Sequence, residues 1–390
     1  MASAHAAPRR LGEQALTLWT TGLLLASCLP QYLVGSLAIG MRGDFPFGEA
    51  ELGLAAGVSF ATAAVASPLA GRISDRIGMR VALAVAALLT AASSLGIVMA
   101  GSAGAIVALM VLNGLGSGIG SPLFASLIAS GVELDKQGFA LGLLTSAPQM
   151  AAFGAGLALP LIAQPLDWRV GFVLPAILAV ACLWALMRSG AVPARATGGR
   201  VAGPRIRGLR SIHLIGLAAA LASAAVIGMR SFLVVFAIAE GFAIGAAGLL
   251  LSATGLIAIG SRLGFGLLGD RRPGDALRRA ALLMALTATG FALMVAGSHA
   301  LIVAGAILAG GVGWGWQSPL SLAVISRNRS ATASAIGIQM TGFFVGALVG
   351  PLVVGLLAER GSYTTAWTLC GCLAVAAGSV ALLVRRLPHD

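Results

Sequence analysis

The chain has 390 residues, of which 58% are apolar and only 10% charged, and it carries a formal net charge of +12. Globular proteins are about 25% charged, so this chain lacks the polar surface to fold as the two or three water-soluble domains its length would allow. Its basic residues stand in short links between apolar runs, with no aromatic-interleaved basic face, which excludes a nucleic-acid binder and points to a chain oriented in a lipid bilayer.

A membrane-spanning helix takes about 20 predominantly apolar residues. By that measure the first half supplies spans at 16–39, 52–69, 81–100, 104–130, 138–162 and 170–187. The second half supplies spans at 212–239, 247–268, 280–296, 301–326, 331–357 and 365–384. The expected fold is an all-α membrane protein of twelve transmembrane helices in two six-helix bundles. Residues 1–187 form the first bundle, 188–210 a cytoplasmic linker rich in Arg, Gly and Pro, and 211–390 the second bundle. Arg9, Arg10 and Leu25-Ala26-Ser27-Cys28 mimic a lipoprotein signal. The apolar run continues to Ile39, however, too long for the core of a signal peptide, so the segment is expected to stay as the first span.

With both termini cytoplasmic, 20 of the 25 Lys and Arg residues fall inside and three (Arg42, Arg169 and Arg360) outside. Cytoplasmic links retain positive charge, so this asymmetry sets the expected orientation, in a cell inner membrane. Cys28, Cys182, Cys370 and Cys372 each sit inside an apolar run without metal-ligand spacing to a histidine. They read as buried apolar residues, not as metal ligands or a disulfide framework.

The link between the second and third spans reads Gly71-Arg72-Ile73-Ser74-Asp75-Arg76-Ile77-Gly78-Met79-Arg80, and a second copy reads Gly266-Leu267-Leu268-Gly269-Asp270-Arg271-Arg272-Pro273. In both, a Gly precedes an Asp-Arg pair by four positions, and Asp75 and Asp270 lie 195 residues apart, half the chain. Residues 116–123 in the fourth span likewise match 313–320 in the tenth, and Gln149-Met150 matches Gln339-Met340. Such internal duplication marks transporter folds. The first link resembles the loop signature of the major facilitator superfamily, Gly-x-Leu-x-Asp-Arg-x-Gly-Arg-Lys, with Ile73 for the Leu and Met79 for the first basic residue. The second copy keeps Gly266, Leu268, Asp270 and Arg271 and has Pro273 at the second Gly position. The resemblance implies a two-bundle carrier in which Gly71, Asp75, Arg76, Gly78 and Arg80, with Gly266, Asp270 and Arg271, brace the halves on the cytoplasmic side. Asp75 is expected at the start of the third helix, where a carboxylate offsets the helix dipole. Glu133 and Asp135 in the next cytoplasmic loop are candidate partners for Arg76 or Arg80.

All thirteen acidic residues fall in loops, tails or helix ends, whereas Arg230 and Arg262 lie within spans. An arginine at membrane depth costs about 2.5–3.5 kcal/mol on insertion scales and faces a wet cavity or a partner. With no carboxylate at that depth, the natural complement is an anion, which a guanidinium grips with two parallel hydrogen bonds. Arg262 stands four residues before Gly266 and resembles the eighth-helix arginine of monocarboxylate transporters and oxalate–formate exchangers, which contacts substrate carboxylate. Ala258 occupies the place of the monocarboxylate family's acidic residue, and the exchangers' eleventh-helix lysine is missing, with Gln339 the nearest polar group. The alternatives are a snorkelling or inter-helix Arg262 and an Arg230 that reaches the outer interface or Glu240. Gln31, Tyr32, Asn113, Gln149, Trp314, Gln317 and Gln339 are further substrate-binding candidates near mid-span, each equally able to serve as an inter-helix hydrogen-bonding group. Trp316 is expected to face lipid or a neighbouring helix.

No zinc-protease, P-loop or Gly-x-Ser-x-Gly motif is present. The expectation is therefore a secondary or facilitative transporter without a cofactor, acting as a monomer on a small organic anion such as a carboxylate. Arg262 is its expected principal counter-charge and Arg230 the second, with a proton or counter-substrate as coupling partner. The alternative is an exporter of hydrophobic or cationic compounds, which would want a buried carboxylate.

Overall fold

The computed structural model describes residues 6–190, 192, 209–271, 275–328, 332–361 and 363–387. Most of the expected linker, and Pro273 of the second loop copy, lie outside the described residues. The described chain is helical throughout. In the first half, α1 (Ala6–Ser36) and the short α2 (Ala38–Arg42) lead to α3 (Glu49–Ala66), which runs through a 3-10 turn into α4 (Ala70–Ile77). There follow α5 (Met79–Val98), α6 (Ala103–Gly131), α7 (Leu134–Thr145), α8 (Ala147–Ala158) with a π-helical end at Leu159–Ala163, and α9 (Trp168–Arg188). The second half holds α10 (Leu209–Ala239), α11 (Ile244–Arg271), α12 (Ala276–Val295) and α13 (His299–Ala306). A π-helical stretch at Ile307–Val312 and a 3-10 turn at Gly313–Trp316 then lead into α14 (Gln317–Arg327), α15 (Thr332–Glu359) and α16 (Tyr363–Arg386).

Ten helices or continuous helical runs among the described residues are long and apolar enough to cross a membrane. The pair Phe139–Thr145 and Ala147–Ala163, bent by 41°, makes an eleventh when read as one span. The helix outside this number is α1, whose length is sufficient. Thr17, Thr20, Thr21, Ser27, Gln31 and Tyr32 dilute its hydropathy, and all six are buried. Several bond within the helix: Thr20 donates to the Leu16 carbonyl at 2.7 Å and Ser27 to that of Leu24 at 2.9 Å. A helix that faces protein on most sides has no need to look like lipid.

Helix starts follow the capping residues in the chain. Ser102, Asp167, Asp275 and Ser298 accept from the backbone N–H groups of Ala105, Arg169, Arg278 and Leu301, opening α6, α9, α12 and α13. Gly78 has φ +86, a conformation costly for any residue with a Cβ, and it divides α4 from α5. Asp75 therefore does not cap the third span as expected. It lies inside α4, because the second span stays helical through Ile77 and Gly78 itself takes the cap position.

Glycines decide which helices touch. On α15, Gly342, Gly346 and Gly350 repeat every fourth residue and press on the backbones of Gly216, Ala220 and Ala224 of α10, which keep the same spacing. This is close small-residue packing within one half. Between halves, Gly53 and Gly57 of α3 meet the backbone of α15 at Pro351 and Leu348, and Gly156 of α8 meets Gly248 of α11. The same pairs of spans part towards their other ends. A Cβ placed at Gly71 of α4, Gly142 of α7, Gly260 or Gly264 of α11, or Gly337 of α15 would meet nothing within 4 Å. The halves are thus shut at one end of the bundle and apart at the Gly71 end.

Polar and ionic contacts lie at the shut end. Arg42 pairs with Glu49 at 3.0 Å, and the Tyr363 hydroxyl at the head of α16 lies 3.5 Å from the same carboxylate. Asp44 accepts from Trp168 Nε1 at 2.9 Å and pairs with Arg169, and these two donors hold its carboxyl below the usual carboxylate range.

Gly350→Ala is expected to cost about 1–3 kcal/mol, since overpacking a tight contact displaces backbone. Gly337→Ala should leave stability unchanged or raise it slightly, because Ala is the better helix former. Thermal unfolding of the two purified variants in detergent checks the contrast.

Candidate functional site

The centre of the molecule is organised by a cation. Arg230 lies on α10, a helix buried almost all round, and is itself 2% exposed. Its Nη2 donates to the Gly310 carbonyl at 2.6 Å, and its Cζ stands 4.8 Å from the centroid of the Trp314 ring. The Gly310 carbonyl belongs to the π-helical stretch, where i→i+5 pairing disturbs the regular ladder and turns carbonyls outward. The glycines Gly310, Gly311, Gly313 and Gly315 make that irregular backbone inexpensive. Nε and Nη1 of Arg230 have no hydrogen-bond partner. Tyr32 of α1 stands beside the guanidinium, near enough to interact electrostatically but outside strict hydrogen-bond geometry.

Trp314 is fixed from the opposite half. With the Gln149 amide turned so that its oxygen accepts from Trp314 Nε1, its nitrogen donates to the carbonyls of Thr145 and Ser146 at 3.3 and 3.2 Å. Tyr32, Gln149, Arg230 and Trp314 therefore form one connected group from α1, α8, α10 and the turn before α14. The wall beside it is apolar: Phe60 of α3, Val226 and Ile227 of α10 and Ala258 of α11 pack in one cluster with Trp314, flanked by Phe343 and Phe344. The Trp314 and Phe343 ring centroids are 6.2 Å apart.

Arg262 lies elsewhere. Half-buried on α11, it donates from Nη1 to Gln317 Oε1 at 2.8 Å, and its own carbonyl accepts from Ser318 at 3.2 Å. Thr254 of the same helix packs near Gly310. Eight residues, or about 12 Å of helix, separate Thr254 from Arg262, in the direction of the open end. No carboxylate among the described residues pairs with either arginine.

The remaining candidates tie helices together. Gln31 donates to Ser59 at 3.1 Å, Ser59 to Asn113 at 3.2 Å, and Asn113 to the Ser27 carbonyl at 3.3 Å, joining α1, α3 and α6. Gln339, fully buried, donates to Ser321 at 3.0 Å and leaves its Oε1 without a partner. Trp316 faces neither lipid nor solvent; it is fully buried in the core of the second half. Three cysteines are buried as expected, but Cys372 is exposed.

Around the loop signature, Gly71, Asp75 and Arg76 are exposed on α4. Arg80 donates from Nε to the carbonyl of the buried Val192 at 3.1 Å, securing the chain just after α9. Glu133 does not pair with Arg76 or Arg80. It pairs with Lys136 at 2.6 Å, and Lys136 also reaches Glu13 at 3.2 Å, because α7 begins beside α1. The side chains of Asp135, Gly266, Asp270 and Arg271 lie outside the described residues.

Two grooves lie away from the arginines. One, of about 650 Å³, runs between the start of α1 and α7 past Thr17, Lys136 and Phe139. The other, of about 400 Å³, lies at the shut end beside Leu37, Gln164, Trp168 and Ile244. The functional geometry is in the connected central group and not in these surface features. Gly310, Phe60 and Phe343 belong to that group and were not among the residues the sequence singled out; the dense glycines from 310 to 315 were the available signal.

An all-helical chain whose halves meet at one end and enclose polar groups midway is a multi-span membrane transporter. A family model described as Major Facilitator Superfamily matches residues 20–331. The chain belongs to the major facilitator superfamily, and its activity is transport rather than catalysis. Among solved structures, a bacterial homologue of the human lysosomal transporter Spinster, inward-facing and occupied, superposes with a TM-score of 0.77 at 15% identity, covering 98% of each chain. A D-xylose–proton symporter gives a TM-score of 0.74 at 16% identity, covering 96% of this chain and 98% of that one. The Spinster homologue in its inward-facing, unoccupied form gives 0.72 at 15% identity, over 98% and 96% of the two chains. These likenesses show a shared fold. No curated protein matches the chain.

If the Gln31–Ser59–Asn113 chain is structural, Ser59→Ala and Asn113→Ala will each destabilise the protein by about 1–3 kcal/mol, the cost of orphaning a buried polar partner. The double variant should lose less than the sum of the two, since both cut one network. Thermal melts of the three variants give the cycle, and strict additivity would contradict the shared network.

Proposed function

We propose that the chain is an alternating-access carrier for small organic anions, with the substrate carboxylate held on Arg230. The observation that carries this reading is the buried guanidinium with Nε and Nη1 unpartnered and no carboxylate beside it among the described residues. A buried charge with open hydrogen-bonding sites is costly unless a counter-charge visits it. Arg230 ranks above Arg262 in this reading, because Gln317 already takes one Nη of Arg262 and that side chain is only partly buried. Arg262, whose spacing to Gly266 resembles the oxalate–formate exchangers, would receive the anion nearer the open end.

The same reading makes α1 the twelfth span, gives each half six spans divided by the linker at 188–210, and places both termini in the cytoplasm. The charge count along the sequence supports that orientation, and the Gly71 end is then the cytoplasmic one. On this reading the structure corresponds to an inward-facing state, with Asp75 and Arg76 exposed at the open end. Export of cationic compounds has less to draw on, since a cation would approach two guanidinium groups and no carboxylate.

Uptake of a labelled carboxylate into proteoliposomes, with expression checked, tests the site. Arg230→Ala should lower kcat/KM by about 10–100-fold, the equivalent of about 1.5–3 kcal/mol for hydrogen bonds to a charged group. Arg230→Lys should recover little, because an ammonium lacks the fork. Arg262→Ala should have the smaller effect. Normal uptake by Arg230→Ala would remove the anion site.

A further inference from the structure

We infer that the anion accepted at Arg230 is a monocarboxylate bearing an apolar, preferably aryl, tail; this rests on the anion reading above and narrows it. A guanidinium has five N–H donors arranged as two two-donor edges, one formed by Nε with one Nη and one by both Nη atoms. Gly310 takes one N–H of Nη2. Nη2 has a second N–H, and Nε and Nη1 are both free. Whichever N–H the Gly310 carbonyl occupies, one two-donor edge stays intact, enough to grip a single carboxylate with parallel bonds. Trp314 stands with its ring centroid 4.8 Å from Cζ of the guanidinium and closes off one side of it.

Next to that edge there is little for a second polar group to bond. Gln149 is used up by Trp314 Nε1 and two backbone carbonyls, which leaves the Tyr32 hydroxyl. The rest is Val226 one turn before Arg230 on the same helix face, with Phe60, Phe343 and Trp314. A sugar would find too few hydrogen-bonding partners here, and a short dicarboxylate would leave its second charge unpaired against the apolar wall. A simple inorganic anion or acetate would leave the aromatic wall untouched. A carboxylate with an aryl or medium alkyl tail satisfies both parts at once, with the head on the guanidinium and the tail across the rings.

Thermal-shift titration of the purified full chain in detergent with 3-phenylpropionate, octanoate, acetate, succinate and 3-phenylpropanol reads the selectivity directly. Expected are apparent affinities for phenylpropionate and octanoate at least tenfold above those for acetate and succinate, with no response to phenylpropanol. Arg230→Gln should abolish the phenylpropionate response. Phe343→Ala, which keeps the charged edge, should weaken phenylpropionate severalfold and leave acetate unchanged, so the idea stays testable if Arg230→Gln does not fold. Acetate or succinate binding as tightly as phenylpropionate overturns the tailed class while leaving the anion site standing. Silence from every carboxylate, or an equal response to phenylpropanol, overturns the anion site itself and this inference with it.

Discussion

The structure depends on one arrangement: a guanidinium buried between the halves of a membrane protein and, among the described residues, compensated without a carboxylate. A cation at the centre of a span costs about 2.5–3.5 kcal/mol on insertion scales. A hydrogen bond to a charged group returns about 1.5–3 kcal/mol, and a desolvated cation–π contact about 2. The Gly310 carbonyl and the Trp314 face are thus sufficient, in order of magnitude, to hold Arg230 in place with part of its fork unused. That sufficiency has structural requirements. The carbonyl is presented by π-helical backbone, which needs the glycines from 310 to 315, and the indole is held by Gln149 from the opposite half. Loosening of the halves would therefore reach the guanidinium through Trp314.

The way the halves meet explains why they are able to loosen. Within the second half, α15 lies on α10 along the full Gly342–Gly346–Gly350 stripe, a contact with no slack. Between halves, close backbone contacts include Gly53 and Gly57 against α15, Gly35 against Ser231 of α10, and Gly156 and Phe153 of α8 against Gly248 and Gly255 of α11. The glycines at the other ends of those spans touch nothing. Continuous packing inside a half and looser packing between halves are what the proposed alternating-access reading would need of two bodies that rock against each other. The ion pair of Arg42 with Glu49, and the Tyr363 hydroxyl near that carboxylate, add a polar clasp at the shut end, where water is within reach and such contacts break cheaply.

Much of this was legible before any coordinates, for physical reasons. Lipid demands long apolar runs, so ten of the expected spans, and an eleventh where the bent pair is read as one, correspond to described helices that meet the length and hydropathy of a membrane crossing. The exception, α1, is polar because its neighbours are protein, and hydropathy cannot distinguish a buried polar face from an aqueous one. Arg230 and Arg262 stood out because a cation in an apolar run needs a reason. Their surroundings did not, since the meeting of Tyr32, Gln149, Arg230 and Trp314 is tertiary and spans more than 280 residues. The hydrogen-bonded chain of Gln31 and Asn113 was equally hidden: a mid-span amide reads the same whether it faces a cavity or a neighbouring serine. Asp75 was misplaced by a few residues of helix, because nothing local to Ile77 announces that the second span continues so far. Gly78 was visible as a break, but which side of it the aspartate served was not.

The unfilled fork also bears on how such a carrier would cycle. Under the anion reading, and with no carboxylate among the described residues paired to Arg230, the site without its anion keeps a positive charge, and an anion that occupies it leaves the pair neutral. Reorienting the empty carrier would then mean enclosing an unneutralised cation between two shut ends, away from water that could hydrate it through the opening. In a membrane potential, moving one elementary charge across the full field is worth about 2.3 kcal/mol per 100 mV. The loaded carrier escapes both penalties, so it crosses more easily than the empty one. A carrier of that kind exchanges one anion for another more readily than it performs net transport. Under the anion reading, the coupling preference follows from what Arg230 lacks beside it, with no separate proton-bearing residue required.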